Sequence, residues 1–107
     1  MNSKHYTYRV LWSKEDQEFV GLCAEFPSLS WLDEDQAQAL AGIVQLVDDT
    51  VQDMQAAGEV IPEPLSHKKF SGKISLRTTP ATHRALALAA AEHNVSLNRH
   101  INALIAG

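Results

Sequence analysis

Cysteine is almost absent from this chain of 107 residues, which contains only Cys23. A single thiol excludes an internal disulfide and any zinc site built from several cysteines. Long apolar runs are also missing, since no stretch approaches the ~20 residues that a membrane-spanning helix requires. The residues after Met1 show neither an apolar run nor a small-residue cleavage site. We therefore expect a cytoplasmic protein, too short to hold a large enzyme domain beside a regulatory one.

Basic residues are scarce in the first part of the chain, and acidic residues are scarce in the rest. Residues 1–65 contain three basic and twelve acidic side chains, a net charge of −9. Residues 66–107 contain six basic side chains and one acidic side chain, Glu92, a net charge of +5. This asymmetry favours a polyanion as the partner of the basic part and a basic protein as the partner of the acidic part. Drift of surface charge without a function is the alternative.

The first part of the chain has the pattern of a small sheet followed by one helix. The β-branched and aromatic stretches 6–13 and 18–23 flank the polar residues 14–17, which predicts a hairpin, and residues 29–32 follow as a third short strand. From Asp35 the apolar residues recur with helical spacing. This predicted stripe consists of Leu40, Ile43, Val44, Val47, Val51 and Met54. Asp33 or Asp35 is the predicted cap, and Gly58 the predicted end.

A proline-rich segment, Pro62-Glu63-Pro64, interrupts all periodicity, and we predict a domain boundary there, with domains at residues 1–65 and 66–107. Residues 73–78 then alternate between polar and apolar side chains, which predicts a strand with one wet face. Thr79-Pro80 is a strong helix start, Asn94 suits a left-handed stop, and Ser96 suits the cap of a second helix. The predicted order of the second domain is strand, helix, helix.

A domain of this size cannot form a stable core alone, and its single strand has two unpaired edges. We therefore expect a homodimer in which two strands pair as an antiparallel ribbon over four helices. Such a ribbon fits the major groove of DNA. The predicted base contacts are Lys73, Ser75 and Arg77, and the predicted phosphate contacts are Ser96, Asn98, Arg99, Lys68 and Lys69.

Two stretches of the chain resemble known families. One stretch resembles ribbon-helix-helix repressors of the Arc and MetJ type, and its sequence is KISLRTTPATHRALALAAAEHNVSLNRHINALI. The other stretch resembles the N-terminal domain of HicB antitoxins. It consists of the run YRVLWSKEDQEFVGLCAEFPSLSWL and of the predicted helix and the Pro-Glu-Pro segment that follow it. The resemblance implies an α+β fold, with a sheet and one long helix in a partial RNase H-like arrangement. It also implies two partners, a HicA-like toxin that cleaves mRNA and the operator DNA of the protein's own operon.

Several residues suggest other chemistry, which we regard as less consistent with the pattern. The carboxylates that would suit a metal-dependent nuclease lie in turns and at a helix start, where solvated side chains are common: Asp16, Glu18, Glu25, Asp33 and Asp35. The five histidines lack a metal-binding spacing, and we expect His83 and His93 to pack in a core. We expect Cys23 to be buried rather than reactive. No cofactor or metal is predicted.

Three aromatic residues leave the surface of the first domain open to two interpretations. Trp12, Phe26 and Trp31 either form an exposed patch for a protein partner or pack in the core. We expect Trp12 in the core and keep Trp31 and Phe26 as candidate partner contacts. The leading hypothesis is an antitoxin that represses its own operon, as a homodimer or tetramer. The alternatives are a stand-alone regulator whose first domain binds another ligand or mediates oligomerisation, and an enzyme.

Overall fold

A computed structural model describes residues 2–107, which form two compact units, one ending at Phe70 and the other spanning Ser71–Gly107. The first unit contains a short 3-10 helix at Ser3–His5 and the strands β1 (Tyr8–Ser13), β2 (Glu18–Cys23) and β3 (Ser30–Asp33), followed by helix α1 (Gln36–Ala56). The second unit contains helices α2 (Pro80–Glu92) and α3 (Leu97–Ala106). The predicted α+β class is confirmed.

The strands form one antiparallel sheet in the order β1-β2-β3, as the predicted hairpin and third strand require. Gln17 closes the hairpin in the left-handed region, with φ of 53°. The register places Leu11 opposite Val20, and Val20 opposite Leu32. Because opposite residues of an antiparallel pair share a face, these three side chains form one row on one side of the sheet.

Helix α1 covers the other side of the sheet. Gly21 lies so close to it that an added Cβ would overlap Ala39 O and Ile43. Four residues at helical spacing are buried there: Ala39, Ile43, Val47 and Val51. The predicted stripe is therefore one position wrong at its start, because Leu40 is 45% exposed while Ala39 faces the sheet.

The ends of α1 follow the predicted capping pattern. The Asp35 carboxylate accepts a hydrogen bond from the Gln38 amide at 3.0 Å, which identifies it as the cap. At the other end Gly58 has φ of 71°, and the amides of Gly58 and Glu59 donate to Gln55 O and Met54 O at 3.2 and 2.9 Å. This is a Schellman motif, which ends the helix where the sequence predicts.

The core of the first unit lies between α1 and the Tyr8–Cys23 end of the hairpin. It contains six buried side chains: Tyr6, Cys23, Phe26, Ile43, Val47 and Val51. The predicted burial of Cys23 is confirmed, since it is 2% exposed. Burial raises the pKa of its thiol, so the thiol is protonated and poorly nucleophilic at neutral pH.

The proline-rich segment packs on the first unit. Pro64 is fully buried, and the Tyr6 hydroxyl donates to Pro62 O at 2.7 Å. Further along, the Leu65 amide donates to the Glu25 carboxylate at 2.9 Å and the Ser66 hydroxyl donates to His5 O at 2.8 Å. These contacts explain why the first compact unit extends to Phe70, beyond the predicted boundary after Leu65.

The two helices of the second unit have the predicted boundaries. The Thr79 hydroxyl accepts from the Thr82 amide at 3.2 Å, with Pro80 at the first helical position. Asn94 has φ of 56° and ends α2 by a second Schellman motif. Among residues 2–107, no helix combines the length and the apolar character needed to cross a bilayer.

Candidate nucleic-acid interface

The segment before α2 holds the predicted base-contacting side chains. Every residue from 71 to 80 is exposed, including Lys73, Ser75 and Arg77. This segment forms no strand in the single chain. A strand requires backbone hydrogen bonds to a neighbouring strand, and no segment within residues 2–107 pairs with this one. The predicted alternation of a wet and a dry face is therefore absent from the single chain.

The apolar side chains of this segment are the most unusual feature of the second unit. Ile74 is 83% exposed and Leu76 is 70% exposed. Two such side chains in a short segment lose the hydrophobic stabilisation that burial would provide, about 1.5–3 kcal/mol each. A lone chain thus leaves this apolar surface in contact with water.

Two open clefts lie beside these side chains within the second unit. One, of about 250 Å³, lies between Ile74, Leu76 and the α3 residues Asn98, Ile101 and Ile105. The other, of about 410 Å³, lies between Leu76 and α2 and α3, where its lining residues are Arg77, Thr78, His83, Leu86, Leu97 and Ile101. Leu76 lines both clefts, so the segment borders a surface that its own two helices do not close.

The predicted phosphate-binding end of α3 has the geometry of a helix cap. The Ser96 hydroxyl accepts from the Arg99 amide at 3.1 Å. The amides of Leu97 and Asn98 precede the first turn's internal bonds, and such amides together with the helix dipole favour an anion. Asn98 also lines the cleft that Ile74 borders, so the start of α3 and the exposed segment lie on neighbouring surfaces.

The two lysines predicted to contact phosphate belong to the other compact unit. Lys68 and Lys69 are exposed near the end of the first unit, and Lys68 Nζ lies 5.9 Å from the centroid of the Phe70 ring. That distance permits a cation–π contact. The sequence prediction thus combined side chains that the structure assigns to separate units.

Two histidines of the second unit differ from the prediction. His83 and His93 are exposed in this chain, so the expectation that they pack in a core is wrong. His93 instead stacks on His100, with ring centroids 5.7 Å apart and planes at 17°. Its Nδ1 donates to Ala89 O at 2.8 Å. Ala90 is the one buried residue of α2 and α3 has none, so the two helices do not enclose these rings.

The aromatic residues of the first unit also require correction. Phe26 is buried against Tyr6, with ring centroids 5.2 Å apart, and so provides no exposed surface for a partner. Trp12, expected in the core, is 49% exposed, because the core lies at the opposite end of the hairpin. It contacts Phe19 edge to face at 5.0 Å. Trp31 is 42% exposed and remains a candidate for partner contact.

Of the carboxylates, Glu25 departs most from the expected solvated surface. It is half-buried and accepts hydrogen bonds from the amides of Thr7 and Leu65, each at 2.9 Å. Burial alone raises its pKa, but the bonds from Leu65 and Thr7 outweigh burial, so the pKa lies below its ordinary value of 4.5. Within residues 2–107, no three histidine, cysteine or acidic side chains form a group that could hold a metal ion.

A comparison with protein families bears on the end of the first unit and on the second unit. The model described as the HicB family matches residues 57–105. The match covers 49 of the 107 residues, and this part of the chain is similar to the HicB family. The HicB match begins just after α1 and leaves residues 1–56 outside it. No curated protein and no solved structure matches the chain.

Sequence reasoning missed one surface of the first unit. Val20 and Leu22 lie on the face of β2 that points away from α1, and neither packs against the core. The signal was present in the sequence, because residues 19–23 are apolar at nearly every position, whereas a strand with one solvated face alternates. The outer face of the sheet therefore carries a row of three apolar side chains, Leu11, Val20 and Leu32.

Proposed function

We propose that this chain is a dimeric HicB-type antitoxin that binds operator DNA through the residue 73–78 segments of two copies. The observation that carries the proposal is the exposure of Ile74 and Leu76 beside two clefts of the same unit. Antiparallel pairing of two such segments would satisfy their backbone groups and press both side chains onto four helices. Folding of residues 71–107 would then be coupled to dimerisation.

In this dimer, the polar side chains of the paired segments form the DNA-reading face. Lys73, Ser75 and Arg77 of each copy would enter the major groove, where arginine and lysine pair with guanine and serine bonds to several bases. Ser96, Asn98 and Arg99 at the start of α3 would contact phosphate, as would Lys68 and Lys69. The net charge of +5 over residues 66–107 supports a polyanion as the partner of this face.

The acidic first unit would bind and neutralise a HicA-like toxin. A net charge of −9 over residues 1–65 favours a basic protein partner, and charge attraction would mainly accelerate encounter. Trp31 is the aromatic side chain that we assign to this contact, since it is partly exposed. The protein would act in the cytoplasm, where the toxin and the operon are found.

A second candidate function has one specific observation in its favour. The HicB match leaves residues 1–56 outside it, so the family evidence does not extend to the sheet and α1. A stand-alone ribbon-helix-helix regulator, whose first unit binds another ligand or mediates oligomerisation, has the same second unit. The two functions differ in whether a toxin exists.

DNA reading is tested by replacing one side chain of the segment. Arg77→Ala is expected to weaken binding to fragments of the protein's own promoter by about tenfold or more at matched salt, because a bidentate base contact discriminates by about 1–3 kcal/mol. Arg84→Ala on α2 is the control, since it removes the same charge at an exposed site outside the segment. Equal affinities of the two variants would contradict base reading by the segment.

Toxin neutralisation is tested with the small gene adjacent to this one. Its expression alone is expected to stop growth, and co-expression of the full chain is expected to restore growth and yield a complex. Growth arrest without rescue, or no arrest at all, would favour the stand-alone regulator.

A further inference from the structure

Two histidines lie on either side of an arginine in an open cleft where α2 meets α3. The cleft has a volume of about 250 Å³, and its lining residues are His93, Val95, Arg99, His100 and Ala103. The amide of Arg99 donates to the Ser96 hydroxyl, so the cleft adjoins the proposed phosphate contact at the start of α3. The proposed function uses Ser96 and Arg99 but neither histidine.

The polar side chains of this cleft are all basic or able to become so. Glu92 is the single acidic side chain of residues 66–107, and although it precedes His93 at the end of α2, it does not line the cleft. A metal cation would meet the positive charge of the Arg99 guanidinium, whereas an anion would be attracted by it. The cleft therefore suits an anion better than a metal ion.

The hydrogen bond of His93 determines which of its nitrogens can meet an anion. Its Nδ1 lies 2.8 Å from Ala89 O, and because a carbonyl oxygen only accepts, Nδ1 carries a proton. The second proton of the ring is therefore gained or lost at Nε2. An oxygen of a phosphate diester also only accepts, so Nε2 can bind it only when Nε2 is protonated.

The stacked ring of His100 couples a second proton to the same anion. The two ring centroids are 5.7 Å apart, with the planes at 17°. Two positively charged rings at this distance repel each other, and an anion bound between them and Arg99 offsets that repulsion. Proton uptake by the rings and anion binding in the cleft therefore favour each other.

From this geometry we infer that His93 and His100, together with Arg99, form a proton-dependent contact for a phosphate of operator DNA. The inference rests on the proposed DNA binding and adds two contact residues and a dependence on pH. Histidine as a residue type changes charge between about pH 5 and pH 8. Protonated rings donate to phosphate and neutral rings do not, so DNA binding is stronger at the acidic end of this range.

Fluorescence anisotropy of the full chain with labelled promoter DNA tests the inference at constant ionic strength. The parent is expected to bind about tenfold more tightly near pH 6 than near pH 8, as one added charge-assisted hydrogen bond would produce. His93→Gln and His100→Gln should each remove most of this increase, because glutamine is polar but gains no proton. His5→Gln is the control, since it removes an exposed histidine of the first unit and should retain the increase.

A variant with a permanent charge provides the opposite arm. His93→Arg should bind DNA tightly near both pH values. Isothermal titration calorimetry in two buffers of different ionisation enthalpy should show that the parent takes up protons on binding DNA, and that His93→Gln takes up fewer.

The outcomes separate the inference from the proposed function. If the parent binds DNA equally at both pH values, or if the two glutamine variants keep the pH dependence of the parent, DNA binding stands and the inference is wrong. If the parent binds promoter DNA at neither pH, the proposed function fails and the inference fails with it. Sedimentation equilibrium near both pH values checks dimerisation, and a pH effect on pairing that accounts for the change in DNA affinity would also overturn the inference.

Discussion

The indole of Trp31 in β3 lies directly on Gly42 of α1, so that a Cβ at position 42 would overlap the ring atoms Cδ1 and Nε1. Glycine inside a helix costs about 1 kcal/mol relative to alanine. Its presence in the second turn of α1 is explained by this contact, which sets how closely the edge strand approaches the helix.

Gly42→Ala is expected to destabilise the first unit because overpacking, at about 1–3 kcal/mol, outweighs the gain in helix propensity. In a Trp31→Ala background the same substitution should instead stabilise, since the overlap is gone and only the propensity remains. Urea unfolding at a fixed protein concentration measures the change in the free energy of unfolding in each background. If Gly42→Ala changes this free energy in the same direction in both backgrounds, the Trp31 contact does not determine the residue at position 42.

Glu25 should make the stability of the first unit depend on pH. Its pKa in the folded chain lies below 4.5, so the unfolded chain binds the proton more readily. Its stabilising contribution is therefore fully present above pH 4.5 and is lost as the pH falls below 4.5 through the lowered value. Glu25→Gln should reduce this loss of unfolding free energy in acid, whereas Glu63→Gln, an exposed carboxylate of the proline-rich segment, should retain the parent dependence. Identical acid profiles for Glu25→Gln and the parent would refute the role of Glu25.

Leu76→Glu should abolish operator binding. It places a charge between the two clefts and therefore opposes pairing of the second units of two copies. Leu88→Glu provides the comparison: Leu88 is exposed on α2 and lines neither cleft, so DNA affinity should change little. Fluorescence anisotropy with labelled promoter DNA measures both variants. DNA binding by Leu76→Glu at the parent's affinity would separate DNA recognition from the paired segment.

Ser96→Ala and Thr79→Ala remove equivalent caps, from α3 and α2 respectively. Each should cost about 1 kcal/mol of stability in thermal unfolding. Only Ser96→Ala should also weaken DNA binding beyond that loss, since the start of α3 is the proposed phosphate contact. Affinity for promoter DNA as a function of salt concentration tests the difference, and equal losses for the two variants would argue against phosphate binding at Ser96.

Local chemistry explains why several elements could be predicted from residue types alone. Asp35, Thr79 and Ser96 cap helices, and Gly58 and Asn94 end them, because the hydrogen bonds involved join residues a few positions apart. The hairpin follows in the same way from two β-branched stretches and a polar turn.

Residues whose role depends on distant contacts could not be placed in this way. Phe26 and Trp12 are both aromatic residues of the first unit, yet one is buried and the other half exposed, because the core lies at one end of the hairpin. Glu25 has the sequence surroundings of a surface acid, but its carboxylate accepts a hydrogen bond from the Leu65 amide, forty positions away. The prediction of a strand at 73–78 stays a prediction, since it requires a second chain.

The sequence by itself determined the two-part charge, the α+β class, and the beginnings and ends of the helices, because each depends on composition or on neighbours within one or two turns. Only the tertiary structure decided which face of the sheet is covered, that the proline-rich segment belongs to the first unit, and that Leu76 lines open clefts. These depend on which surfaces meet, and burial is a property of the assembled chain that no local pattern contains.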